Sequence, residues 1–243
     1  MSFDQCAELV AKGDPDRFLA AMTAPVDMRG RLMALYAFNL EVARAPWSAR
    51  EPMIGRMRLQ FWEDAVEEIF AGQPRRGHPV IEAVAEAVGA AALPKAPFAA
   101  LVEARLADLE PGPPADMAAF ESYVAATSAG LMALAARALG APADEAAQGI
   151  GQAMGVANLL RALPELAVRG RLPLPGMAGV DRAELAEGRT TERLAAIIAE
   201  IAAGIPAGEA LVETEPDRRT AIRRAIDAAG EGDLVVIAGK GHE

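Results

Sequence analysis

Apolar residues recur along most of this chain at three- and four-residue steps, the spacing that gives an α-helix one oily face. Asp14-Pro15-Asp16 puts a capping side chain before a proline suited to a first helical turn, so Arg17 to Ala21 starts a helix. Leu32, Leu35, Tyr36, Leu40 and Ala43 predict a second helix over Val26 to Ala45, ended by Pro46. Ile54, Met57, Phe61, Ala65 and Ile69 predict a third from Pro52 to Ala71. Similar patterns run over 79–91, 95–109, 115–139 and 143–168, separated by breakers such as Gly72-Gln73-Pro74 and Pro111-Gly112-Pro113-Pro114.

After Gly170 the pattern changes. Arg171-Leu172-Pro173-Leu174-Pro175-Gly176 is too rich in proline for a helix and predicts an extended connector. Helical patterning returns from Thr191 to Ala203 and from Arg218 to Ala229. The turn Gly230-Glu231-Gly232-Asp233 then leads into Leu234-Val235-Val236-Ile237-Ala238, an apolar run that predicts one strand, followed by Gly239-Lys240-Gly241-His242-Glu243. A lone strand leaves backbone groups unpaired, so low order is expected there. The expected fold is all-α, with a short α/β tail.

Composition narrows the function classes. Of the 243 residues, 52% are apolar and the formal net charge is −10. No cluster of lysines and arginines with interleaved aromatics occurs, which argues against a nucleic-acid partner. A single cysteine, Cys6, and two histidines leave no disulfide framework and no Cys- or His-rich metal centre. No stretch reads as a signal peptide or transmembrane segment, so a cytoplasmic protein is expected, or one peripheral to an inner membrane. Tyr36, Phe38 and Trp62 read as core, and Glu63, Asp64, Glu67 and Glu68 as a solvated acidic face. His78 reads as surface, and Asn158 with Arg161 as a buried hydrogen-bonded pair. Ser48, Ser122 and Ser128 lack a triad pattern.

Two stretches carry a family resemblance. The first is Leu35-Tyr36-Ala37-Phe38-Asn39-Leu40-Glu41-Val42-Ala43-Arg44 with Met57-Arg58-Leu59-Gln60-Phe61-Trp62; the second is Asn158-Leu159-Leu160-Arg161-Ala162-Leu163-Pro164-Glu165-Leu166 with Arg169-Gly170-Arg171-Leu172-Pro173. Over residues 5–178 they resemble the squalene/phytoene synthase family. The resemblance implies an isoprenoid-synthase-like bundle of helices around a cavity. In active members, aspartates on facing helices hold Mg²⁺ against an isoprenoid diphosphate, because the metal neutralises the leaving group as a carbocation forms.

The family's aspartates are replaced in this chain by Ala43, Arg44, Ala162 and Leu166, and the exit-motif tyrosine by Pro173. Glu41 remains one turn before the first pair, and Asn158, Arg161 and Glu165 survive in the second motif. Arg44 is expected to add positive charge where a metal would sit. The implied vestigial pocket comprises Tyr36, Glu41, Asn158, Arg161, Glu165 and Arg171, with no catalytic residue, no metal ligand and no cofactor. Mg²⁺ enters only if a residual prenyltransferase or diphosphate binder survives. The pattern resembles a non-catalytic branch, the relatives of a mitochondrial complex I assembly factor, and so implies a protein partner or membrane complex.

The last segment is similar to a different family. Asp217-Arg218-Arg219-Thr220-Ala221-Ile222, Gly232-Asp233 and Gly239-Lys240-Gly241-His242-Glu243 resemble the C-terminal domain of the Mur ligase that adds the third amino acid in peptidoglycan synthesis. By that resemblance Gly239 and Glu243 would bind the incoming diamino acid. The ligase's phosphate-binding loop has no counterpart, since the stretch before Thr191 reads Glu187-Gly188-Arg189-Thr190. The expected organisation is a bundle over 1–178, a connector and helix over 179–209, and a ligase-like fragment over 210–243, together a chimera.

Overall fold

A computed structural model describes residues 2–47, 51–110, 112–142 and 145–178, with Asp181, Ala183, Arg223, Arg224, Asp227 and Ala228 beyond them. The elements, in chain order, are α1 (Ser2–Gly13), α2 (Pro15–Ala21), α3 (Val26–Arg44), a 3₁₀ turn at Ala45–Trp47, α4 (Pro52–Phe70), α5 (Pro79–Ala91) and α6 (Lys95–Ala104). A 3₁₀ segment, Arg105–Leu109, extends α6. Then α7 (Met117–Val124) runs through a π-helical turn at Ala125–Ala129 into α8 (Gly130–Ala138), and α9 spans Glu145–Val168. The described residues are helices and their connections, as the expected all-α fold requires. The four described residues between 223 and 228 are helical, and the expected terminal strand lies outside the described residues.

The start and stop signals act as expected. The Asp14 carboxylate accepts from the Arg17 backbone N–H at 3.1 Å, satisfying an orphan donor of the first turn of α2. Gly170, at φ +80°, closes α9: the Arg171 N–H reaches back to the Leu166 carbonyl at 2.8 Å. Glycine adopts this left-handed backbone without a steric penalty.

The core sits mainly between α1, α3, α4, α5, α6 and α8. Phe38 (1% exposed) makes edge-to-face contacts with Trp62 at 5.5 Å and Phe98 at 5.4 Å, which confirms Phe38 and Trp62 as core; Tyr36 packs against the core while partly exposed. A second cluster joins Phe120 and Val124 to Leu163, Ala167, Leu172, Leu174 and Met177, so the proline-rich connector is pinned by its own apolar side chains.

The long helix formed by α7 and α8 meets α9 at unusually short range. Gly151 and Gly155 face Ser128, and a β-carbon at Gly151 would lie 2.6 Å from the Ala129 Cα. The Ser128 hydroxyl donates to the Gly151 carbonyl at 2.6 Å across this contact. In the π-helical turn, the Thr127 hydroxyl donates to the Tyr123 carbonyl at 2.7 Å, giving that carbonyl a partner where the helical ladder shifts register. Met117–Ala138 is also one helix long and apolar enough to span a membrane by length and composition, contrary to the expectation that no segment qualifies. In the bundle 39% of its most apolar window is buried.

Candidate functional site

A cavity of about 540 Å³ opens where the end of α3, the 3₁₀ segment after α6, the Gly112–Ala115 loop, α7, the second half of α9 and the connector converge. Ala43 and Trp47 come from the first motif region. Leu159, Ala162, Glu165 and Leu166 recur on one face of α9 at helical spacing, and Arg169 follows just past its end. Ala43, Ala162, Leu166 and Pro173 all line this space, so four of the five positions altered relative to the family motifs meet in one place.

The polar groups of the cavity are three arginines and three carboxylates, with Tyr123 among them. Arg105 donates to the Tyr123 hydroxyl oxygen at 2.7 Å and to Asp108 at 3.2 Å, and the Tyr123 hydroxyl donates to Asp108 at 3.0 Å. Burial pushes the Tyr123 hydroxyl above its ordinary pKa, which keeps it a proton donor to that carboxylate. Arg105 and Asp108 are 16% and 15% exposed, and the Arg105 Nε is buried without a partner. This network fixes the wall of the cavity through charge-assisted hydrogen bonds.

The mouth is built differently. Arg169 pairs with Glu165 at 2.5 Å, both well exposed. Arg169 and Arg171 lie over the Trp47 ring at 5.6 and 5.1 Å, a stacking geometry that suits planar guanidinium groups. Burial lowers the Arg171 pKa, opposed by the charges of Asp108, Tyr123 and Glu110. Among the described residues Arg171 makes no ion pair with a carboxylate.

Of the six residues expected to form a vestigial pocket, Glu165 and Arg171 line the cavity, while Tyr36, Glu41, Asn158 and Arg161 do not. Tyr36 lies beneath the Arg17 guanidinium at 5.6 Å. Asn158 does accept from Arg161 at 3.2 Å, but Arg161 is exposed, so the pair decorates the surface of α9 and supports no buried packing. Arg44 is likewise exposed, with its guanidinium over Gly13; the positive charge expected from it at the cavity comes from Arg105, Arg169 and Arg171. Gly239 and Glu243 lie outside the described residues. Trp47, Arg105, Asp108 and Tyr123 were missed because they come from turns and from separate helices, where no local spacing marks them.

Other expected features fall away from the cavity. The acidic face of α4 is solvated and paired with cations, Glu67 with Lys95 and Glu68 with Arg75. His78 is half-buried, with its ring 5.3 Å from Trp62 and 5.7 Å from Phe61, a correction to its surface assignment. Proline at the start of α5 turns the chain so that the preceding imidazole lands on the aromatic face of α4. Cys6 is fully buried and burial pushes its thiol up to about 12.

A helical bundle whose cavity is walled by the residues of two facing motifs is the architecture of an isoprenoid synthase. The squalene/phytoene synthase family model matches residues 10–226, and the chain belongs to that family. It is 34% identical over 173 residues to "NADH dehydrogenase (ubiquinone) complex I, assembly factor 6" of Homo sapiens, covering 70% of this chain and 52% of the relative. The chain thus spans about half the length of this curated relative. A crystal structure of a dehydrosqualene synthase in complex with ligand superimposes with a TM-score of 0.72 at 22% identity, covering 84% of this chain and 73% of that one. Over 79 residues, 31% of its length, the chain is 43% identical to the UDP-N-acetylmuramoyl-L-alanyl-D-glutamate--2,6-diaminopimelate ligase of Geobacillus thermodenitrificans, covering 16% of the ligase.

Proposed function

We propose that this chain is a non-catalytic member of its family that serves as an assembly or binding factor for a respiratory membrane complex, working in the cytoplasm or at the inner face of a membrane. The observation that carries the reading is the meeting of Ala43, Ala162 and Leu166 in one cavity. Alanine and leucine offer no oxygen to a divalent cation, whereas Mg²⁺ on a diphosphate needs carboxylates beside the phosphate oxygens. Two of the three lining carboxylates are paired, Asp108 with Arg105 and Tyr123, and Glu165 with Arg169, which leaves Glu110 alone at the exposed edge. Among the described residues no group of three or more His, Cys, Asp or Glu side chains gathers where a metal could bind. This donor set does not fit a metal–diphosphate pair. The likeness to complex I assembly factor 6 supports the choice of a respiratory complex as the partner.

Two measurements test the reading. Purified chain incubated with farnesyl or geranylgeranyl diphosphate and Mg²⁺ is expected to release no inorganic diphosphate above a protein-free blank; turnover would instead favour a working prenyltransferase. Deleting the gene in its host is expected to lower the amount of assembled complex I on native gels, and an unchanged amount would remove the assembly role. Residues 210–243 are read as a ligase-like fragment, a reading supported by the 79-residue likeness to the diaminopimelate ligase, and the missing phosphate-binding loop is the ground for expecting no ATP-dependent activity. Calorimetry with ATP is expected to show no binding.

A further inference from the structure

We infer that the cavity is a metal-independent binding site for a single-headed acidic amphiphile: a long apolar chain ending in one carboxylate or monophosphate, held by Arg171 against Trp47. The inference rests on the reading of this cavity as unsuited to a metal–diphosphate pair and names what it holds instead.

The apolar part of the ligand follows from the walls. Ala43, Ala162, Leu166, Leu172 and Pro173 present hydrocarbon to a space of about 540 Å³, within the range of pockets that enclose small ligands. The replacements that remove carboxylates also turn the inner surface into one that favours hydrocarbon over water, since each apolar contact removes surface from solvent.

The charge of the head follows from a census of the lining. Arg105 and Asp108 neutralise one another within the Tyr123 network, and Arg169 is paired with Glu165. Glu110 is the remaining carboxylate and is exposed at the edge of the cavity. Arg171 is left, half-buried and stacked on Trp47 at 5.1 Å, with no carboxylate of the described residues in ion-pair range. The lining is neutral overall, three guanidiniums against three carboxylates, and Arg171 is the one guanidinium outside an ion pair, which suits a head of low negative charge. A diphosphate, with more charge and no metal to share it, would exceed what one guanidinium offsets and would face the Glu110 carboxylate besides. Planar guanidinium groups match the paired oxygens of a carboxylate or phosphate, and stacking on Trp47 orients Arg171 before the ligand arrives. Arg169 lies over the same ring at 5.6 Å, and its exposed partner Glu165 can be exchanged for the ligand at little cost.

Isothermal titration calorimetry on the full chain in EDTA-containing buffer tests this, with palmitate, hexadecyl phosphate and hexadecanol each kept below its aggregation concentration. Palmitate or hexadecyl phosphate is expected to bind saturably at one site per chain, and the tighter of the two identifies the head as carboxylate or phosphate. Hexadecanol is expected to bind at least tenfold more weakly. Arg171→Gln is expected to lose at least tenfold in affinity, and Arg171→Lys to recover part of it by restoring charge without the fork. Ala162→Trp, which fills the cavity from α9 and leaves every charge in place, is expected to abolish binding while circular dichroism shows the helices intact. Absence of saturable binding, equal binding of alcohol and acids, a requirement for Mg²⁺, or an unchanged Arg171→Gln affinity would each overturn the inference. Diphosphate release in the Mg²⁺ assay would be a separate failure, of the non-catalytic reading alone.

Discussion

Two glycines of α9, two residues apart, should respond to alanine in opposite directions. At Gly149, exposed on α9, an added β-carbon meets nothing within 4 Å. Alanine there gains the helix-propensity difference, about 1 kcal/mol in favour of the folded chain. At Gly151 the same methyl would sit 2.6 Å from the Ala129 Cα, 2.8 Å from the Met132 Cβ and 3.0 Å from the Ser128 carbonyl oxygen. Two of these are backbone atoms, so α9 must move off the π-helical turn by most of an ångström. Overpacking of this kind costs about 1–3 kcal/mol. The shift also stretches the 2.6 Å bond from the Ser128 hydroxyl to the Gly151 carbonyl, about 1 kcal/mol more. Against the same propensity gain of about 1 kcal/mol, Gly151→Ala is expected to be destabilising by about 1–3 kcal/mol. The two variants then differ by about 2–4 kcal/mol, a gap that cancels most of the uncertainty in either alone. Urea unfolding followed by circular dichroism at the helix minimum measures both midpoints. If Gly151→Ala stabilises the protein as Gly149→Ala does, the close approach of α9 to the π-helical turn is wrong, and with it the position of the α9 face that lines the cavity.

Three further outcomes follow from buried polar groups. Asp108→Asn should destabilise the chain by about 3–5 kcal/mol in the same urea assay, because it strands the buried Arg105 guanidinium without its counter-charge; Asp64→Asn, at a pair whose carboxylate is 51% exposed, should change stability by less than about 1 kcal/mol. Cys6 should resist iodoacetamide at pH 8 in the native chain and react fully in urea, since the thiolate is the nucleophile and burial raises the thiol pKa to about 12. The same shift carries a pH dependence: the unfolded thiol releases its proton near 9.0 and the folded one near 12, so stability is full below pH 9 and declines from there to 12, a slope that Cys6→Ala should remove in alkaline urea titrations.

The element boundaries were largely legible in sequence. Val26–Arg44, Pro52–Phe70 and Pro79–Ala91 agree with expectation to within a residue, because periodic apolar faces run between proline and glycine punctuation. The helix Ser2–Gly13 was not read, although Phe3, Cys6 and Val10 recur at helical spacing; Cys6 and Val10 become fully buried once α3 and α5 pack against them. The expected helix 115–139 is there but interrupted, since a π-helical turn depends on packing against Gly151 and Gly155, which sequence spacing within one helix does not reveal.

Sequence alone determined that α9 presents Ala162, Glu165 and Leu166 along one stripe, for the helical period fixes which side chains share a face before any neighbour exists. It also determined that Ala43 and Pro173, by their place in the motifs, stand among the altered positions. What faces that stripe was decided only in three dimensions. Arg105, Asp108 and Tyr123 meet there because a 3₁₀ segment and α7 cross, and Trp47 takes Arg171 because the Gly170 turn sends the connector back over it. The same packing carries Arg44 out to solvent and leaves Arg161 on the surface. Periodicity is local and survives any arrangement of neighbours, whereas a charge network is a property of distances between segments, and those exist only once the helices have packed.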